Sequence, residues 1–146
     1  MAKELKAPEL MNYAMFCGGC GHGVLLRLIC ECLEEYGLDK KTIAAIGVGC
    51  SCHLKSGINV DLVQSPHGRA AAVATGIRRA QPDKFVFSYQ GDGDAYNIGL
   101  AETLNAAYRN ENICVFIINN GNFGMTGGQM AWTTMPGQKT ATSPKG

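Results

Sequence analysis

Two apolar stretches, each ending in a short polar signature, constrain the fold of this chain more than any other feature. Phe85–Tyr89 (FVFSY) leads into Gly91-Asp92-Gly93, and Ile113–Asn119 (ICVFIIN) leads into Asn120. Between them, Tyr96–Arg109 has helical patterning. Strands that are apolar throughout and alternate with helices predict an α/β fold, a parallel sheet with helices on both faces. In an open parallel sheet, ligands gather beyond the carboxyl ends of the strands. Asp92 and Asn120, 28 residues apart in the chain, are therefore expected side by side in space.

The remaining elements follow the same alternation. Residues 1–16 read as an irregular lead-in. Val24–Tyr36 (VLLRLICECLEEY) sets Leu25, Leu28, Ile29, Cys32 and Tyr36 on one stripe, an amphipathic helix closed by Gly37. Thr42–Val48 reads as a short buried strand, 49–57 as irregular, Val60–Val63 as a second short strand, and Arg69–Ala80 as an alanine-rich helix. Beyond Asn120 no regular element is expected. So long a structureless tail is unusual for a compact domain. The sequence is accordingly expected to be a fragment or half of a split subunit, with residues 1–146 forming one domain.

Composition excludes several functions. The 13 basic residues nearly balance the 12 acidic ones, and no basic run interleaves with aromatics, which argues against nucleic acid as a partner. No apolar run approaches the ~20 residues of a membrane span, and the first residues lack a signal-peptide core. A cytoplasmic location is expected. In that compartment seven cysteines are not a disulfide framework.

The two polar signatures suit a hard cation carrying phosphate. Magnesium prefers about six oxygens, a few from protein and the rest from phosphate and water. Asp92 offers a carboxylate, Asn120 an amide oxygen and Asn122 a backbone carbonyl. Gly91 and Gly93 would let backbone approach a diphosphate, at the positive end of the helix starting near Ala95. Other phosphate motifs fail: GxGxxG would need glycine where Tyr96 stands, and GxxxxGK is absent.

GDG followed about 26 residues later by NN resembles the thiamine-diphosphate fingerprint. With CGGCGHG, GVGCS, HGRAAAVATG, GDGDAYNIG and NNGNFGMTGGQ in that order, residues 12–146 are similar to the beta subunit of 2-oxoacid:ferredoxin oxidoreductases. The resemblance implies a thiamine-diphosphate-binding fold in which Val48, Gly49, Cys50, Ser51, His67, Gly93, Asp94, Gly124 and Met125 line the cofactor. Asp92, Asn120 and Asn122 would hold Mg²⁺. It implies oxidative decarboxylation of a 2-oxoacid, with the acyl group passed to coenzyme A and the electrons to ferredoxin. No glutamate stands in a context suited to activating the cofactor; the family takes it from a partner subunit of alpha or gamma type, so the chain alone is expected to be inactive. The chain would correspond to roughly the first three-fifths of such a subunit.

Cys17-Gly-Gly-Cys20 is a chelating pair, and Cys50 lies by the expected cofactor. On the residues alone, an iron–sulfur cluster and a zinc site of Cys17, Cys20, Cys50 and Cys52 are equal readings. The resemblance implies a 4Fe–4S cluster on Cys17, Cys20 and Cys50, its fourth ligand outside this chain. Cys30, Cys32 and Cys114 read as buried small hydrophobes. His67 alone would read as a structural hydrogen-bonder; the resemblance makes it a cofactor contact. His22 is expected to order the loop after the cysteine pair. His53 stands where some family members have lysine near the substrate's far end, which disfavours 2-oxoglutarate. The rival functions are a non-redox 2-oxoacid decarboxylase half-subunit and a zinc-stabilised module without catalysis.

Overall fold

The computed structural model describes residues 6–146. Its first helix, α1 (Gly21–Glu35), ends as the sequence predicts. Gly37 takes a left-handed φ of 62°, and the amides of Gly37 and Leu38 close back on the carbonyls of Glu34 and Leu33. The buried stripe differs from the expected one. His22, Leu26, Ile29, Cys30 and Leu33 face the core, whereas Leu28, Cys32 and Tyr36 are exposed. Apolar residues cover more than one side of this helix, so spacing alone admits two neighbouring stripes, and packing chooses between them. The discarded stripe lines an apolar groove with Phe85 and Phe116.

Four parallel strands form the sheet: β1 (Thr42–Ile46), β2 (Asp61–Gln64), β3 (Phe85–Gly91) and β4 (Cys114–Ile118), in the order β2-β1-β3-β4. Alternation along the strands divides the core. Ala44, Ile46, Phe87 and Tyr89 pack under α1, while Ala45 and Val86 pack under Ala74 of α3 (Ala70–Ala80). Helices therefore cover both faces, as expected. β3 is buried almost throughout, but β4 is not: it is an edge strand with Val115 exposed, where the sequence suggested burial on both faces.

Several elements depart from the sequence reading. Residues 49–57 are not irregular; they hold a 3₁₀ turn (Cys50–His53) and the short α2 (Leu54–Gly57). The helix expected from Tyr96 begins earlier, as a π-helix over Gly93–Ile98, and resumes after Gly99 as α4 (Leu100–Tyr108). Single π turns gather at functional sites, and this one starts one residue beyond Asp92. Beyond Asn120 two two-residue strands, β5 (Asn122–Phe123) and β6 (Gln129–Met130), form an antiparallel pair. Among the described residues no helix is long and apolar enough to cross a membrane.

Candidate functional site

The chain turns one way from β1 to β2 and the other way from β3 to β4, so β1 and β3 flank the point where strand order reverses. A crevice must open there, beyond the carboxyl ends. It is a cavity of about 180 Å³. β1 delivers Val48, Gly49 and Cys50 to its wall, β3 delivers Gly91, Asp92, Gly93 and Asp94, and the loop beyond β4 delivers Asn120, Asn122, Gly124 and Met125. His67 joins from the turn before α3. Ser51 is the exception among the residues expected at the cofactor and Mg²⁺. It is buried behind the wall, where its hydroxyl donates to the Val48 carbonyl at 3.4 Å.

Asp92 is only 1% exposed, yet it takes part in no ion pair among the described residues. Its one side-chain partner is the Thr133 hydroxyl, which donates to Oδ2. A buried carboxylate without countercharge costs several kcal/mol, about the penalty for any unpaired buried ion. A cation at this position would remove that cost. The amide oxygen of Asn120 and the carbonyl of Asn122 supply the hard oxygen donors magnesium prefers. Asn120 Oδ1 accepts the Asn122 amide at 3.2 Å, which fixes the turn between them. The donor set fits Mg²⁺ with a diphosphate.

Asp94 lines the cavity and is also tied into the protein. It is 2% exposed and both its oxygens are engaged within the protein. Oδ1 accepts from His67 Nδ1 and from the Gly68 amide at 2.7 Å, and Oδ2 accepts from Gln90 Nε2 at 2.7 Å. Gly47 exists to admit this carboxylate, because a Cβ there would come within 2.0 Å of Asp94 Oδ2. Gly93, in the cavity wall, also makes room for protein: a Cβ there would meet the Phe123 ring at 2.4 Å.

The cavity also takes residues that the sequence reading passed over: His22, Ile118, Phe123 and Thr126. His22 stacks on Phe16, and its Nδ1 lies 2.9 Å from the Tyr89 hydroxyl. Burial, and then the neighbouring His53, pull its pKa down. Its position directly after the cysteine pair was the available signal, but it was read as a loop-ordering residue only. Thr133 and Gln90 carry no motif or periodicity that could have marked them.

The cysteines separate into three kinds. Cys30 is buried, and burial, Glu34 and Glu31 push its thiol up to about 12, as suits an inert core residue. Cys32 is exposed and Cys114 half-buried, so the buried reading fails for the first and holds only partly for the second. Cys50 is raised by burial first and then by the neighbouring thiols of Cys20, Cys17 and Cys52. These four are neighbours, but among the described residues no three Cys, His, Asp or Glu side chains are drawn together as a metal-holding set. The thiols as placed do not make a preformed centre.

The family profile described as "Thiamine pyrophosphate enzyme, C-terminal TPP binding domain" matches residues 47–146. The chain belongs to the thiamine pyrophosphate enzyme family. Both halves of the site, from Val48 to Met125, fall inside the match to this family. Along 98% of its length the chain is 49% identical to the ketoisovalerate oxidoreductase subunit VorA of Methanothermobacter thermautotrophicus, covering 30% of that protein. It is 40% identical over 90% of its length to the 2-oxoglutarate synthase subunit KorB of Methanocaldococcus jannaschii, covering 49% of it. The solved 2-oxoglutarate:ferredoxin oxidoreductase from Magnetococcus marinus, with 2-oxoglutarate, coenzyme A and succinyl-CoA bound, matches with a TM-score of 0.91 and 33% identity, over 99% of this chain and 50% of that one. The resemblance read from the five motifs is borne out: the chain is a homologue of 2-oxoacid oxidoreductase subunits. It spans 30% to 49% of their length, less than the three-fifths expected.

Proposed function

We propose that residues 1–146 are the thiamine-diphosphate- and Mg²⁺-binding domain of a 2-oxoacid:ferredoxin oxidoreductase. One observation carries this reading: Asp92, buried at the switch point with no cationic partner among the described residues, lines one cavity with Asn120 and Asn122. In this role Asp92, Asn120 and the Asn122 carbonyl hold the metal, which screens the diphosphate charge. His67 offers its free ring nitrogen to the cofactor while Asp94 holds the other. Val48, Ile118, Phe123 and Met125 give the cavity an apolar wall against which the cofactor would pack. The chemistry thiamine diphosphate supplies when bound is attack on a 2-oxo carbon and storage of the electrons left when CO₂ departs. Support for an activating glutamate on a partner subunit comes from the cavity itself, whose lining contains no glutamate. In the described residues Glu31 pairs with Arg27, Glu102 with Arg69, and Glu34 accepts the Leu10 amide.

The substrate we favour is a 2-oxoacid with an apolar far end, of the ketoisovalerate kind. Among the described residues no lysine or arginine lines the cavity to pair with a second carboxylate, and His53 stands where some family members have lysine. Coenzyme A as acyl acceptor and ferredoxin as electron acceptor, in the cytoplasm, complete the reading. It includes a 4Fe–4S cluster toward which Cys17, Cys20 and Cys50 contribute thiolates. The chain combined anaerobically with its partner subunits should reduce viologen dye on ketoisovalerate several-fold faster than on 2-oxoglutarate, and alone should reduce none. Turnover by the isolated chain would contradict the proposal, and a preference for 2-oxoglutarate would contradict its substrate.

A further inference from the structure

The metal-site residues come from two different loops. β3 and β4 pair through Gly91 and Ile118, so the loops leave the sheet as neighbours, and the Phe123 ring of one lies against Gly93 of the other. Two consecutive residues of the tail bond to both sides as well. The Thr133 hydroxyl donates to Asp92 Oδ2. The Thr134 hydroxyl donates to the carbonyl of Gly121 at 2.6 Å and accepts the Ala131 amide at 2.9 Å. Gly121 is buried, has a left-handed φ of 70°, and lies between the two asparagines. The tail is itself fixed on the π-helix, since the Trp132 amide donates to Asn97 Oδ1 at 2.9 Å.

We propose that Thr133 and Thr134 are positioning residues that clamp the two halves of the metal site into one geometry. A hydroxyl suits this task. It donates one hydrogen bond to one carboxylate oxygen and brings no positive charge that would compete with a cation for Asp92. Outer partners of this kind orient ligands and sharpen metal affinity. The bond from Thr134 to Gly121 holds the turn whose next carbonyl is that of Asn122. A dipeptide of two threonines therefore reaches both halves at once, which one residue could not do.

The proposal rests on the reading of Asp92, Asn120 and Asn122 as a magnesium–diphosphate site. The test is the Mg²⁺ concentration that half-saturates thiamine diphosphate binding, measured by calorimetry on the 146-residue chain. Thr133→Val, which keeps shape and removes the hydroxyl, should raise it about 10- to 100-fold. Thr133→Ser should stay within about twofold of the parent, and Thr134→Val should move in the same direction as Thr133→Val. The unfolding midpoint of each variant is measured beside it. Unchanged or tighter Mg²⁺ dependence in Thr133→Val would overturn the proposal, because the hydroxyl would then be idle or would occupy the cation's place. Thr133→Ser losing as much as Thr133→Val, or Thr133→Val failing to fold, would also overturn it, since packing would then be the role. If the parent binds no thiamine diphosphate with Mg²⁺, the underlying site reading fails and the clamp falls with it; if only Asp92→Ala weakens binding, the clamp alone fails.

Discussion

Gln90 Nε2 donates to Asp94 Oδ2 across 2.7 Å beneath the cavity floor, where neither side chain meets solvent. The same carboxylate holds His67 and the Gly68 amide, so one buried residue ties the end of β3 to the turn before α3. Asp94→Ala strands three donors at once and should destabilise the chain by about 3 kcal/mol. Gly47→Ala forces a Cβ against the same oxygen and should cost about 1–3 kcal/mol. The two losses should be less than additive in the double variant, because the clash disappears with the carboxylate. Urea unfolding of the four proteins measures this, and full additivity would refute the coupling.

Gly93→Ala should weaken thiamine diphosphate binding, because its Cβ displaces the Phe123 ring, which forms part of the cavity wall. Overpacking of this kind costs about 1–3 kcal/mol. Gly93→Ala combined with Phe123→Leu should recover part of the lost affinity. A single variant that binds as the parent does would show that the ring moves freely.

Glu111 joins Arg79 at the end of α3 to Arg109 just past α4. Its hydrogen bonds to Arg109 and Arg79 hold its carboxyl below the ordinary 4.5. A folded pKa below the unfolded one contributes stability that is present above the unfolded pKa and lost as pH falls through the folded pKa. Glu111→Gln should therefore unfold at lower temperature than the parent at pH 7, with the two melting curves converging as pH drops well below 4.5. A gap that persists at pH 2 would show that the effect is not charge.

The sheet, its two covered faces and the pairing of Asp92 with Asn120 were legible in the sequence because each rests on local pattern: apolar runs, a helix between them, and polar residues at strand ends. Twelve of the thirteen positions expected to hold the cofactor and Mg²⁺ line one cavity, with Ser51 behind it; Cys17 and Cys20, expected at a cluster, do not line it. What the pattern could not give was long-range choice. The buried stripe of α1 was decided by Phe87 and Tyr89 across the sheet. β4 read as interior because its own residues are apolar, although exposure depends on what lies beside it. Thr133 reaches Asp92 across 41 residues with no motif to mark it, and the role of Gly93 appears only once Phe123 is seen against it.

For the thiols, three contributions from this chain leave a four-iron cluster one protein ligand short. Anaerobic reconstitution of the 146-residue chain should give a cluster that bleaches in air, with iron and sulfide well below four per chain. Cys52 neighbours Cys50 and is the one residue placed to change that. A stable four-iron count that Cys52→Ser abolishes would make Cys52 the fourth ligand.

The most direct test of the central claim is calorimetric titration of the chain with thiamine diphosphate, with Mg²⁺ and with chelator. The parent should bind with Mg²⁺ and lose at least tenfold in affinity with chelator. Asp92→Ala, with an unchanged circular dichroism spectrum, should bind no better than the chelated parent. Equal affinity in a folded Asp92→Ala chain, or binding by the parent that ignores Mg²⁺, would contradict the assignment of this site.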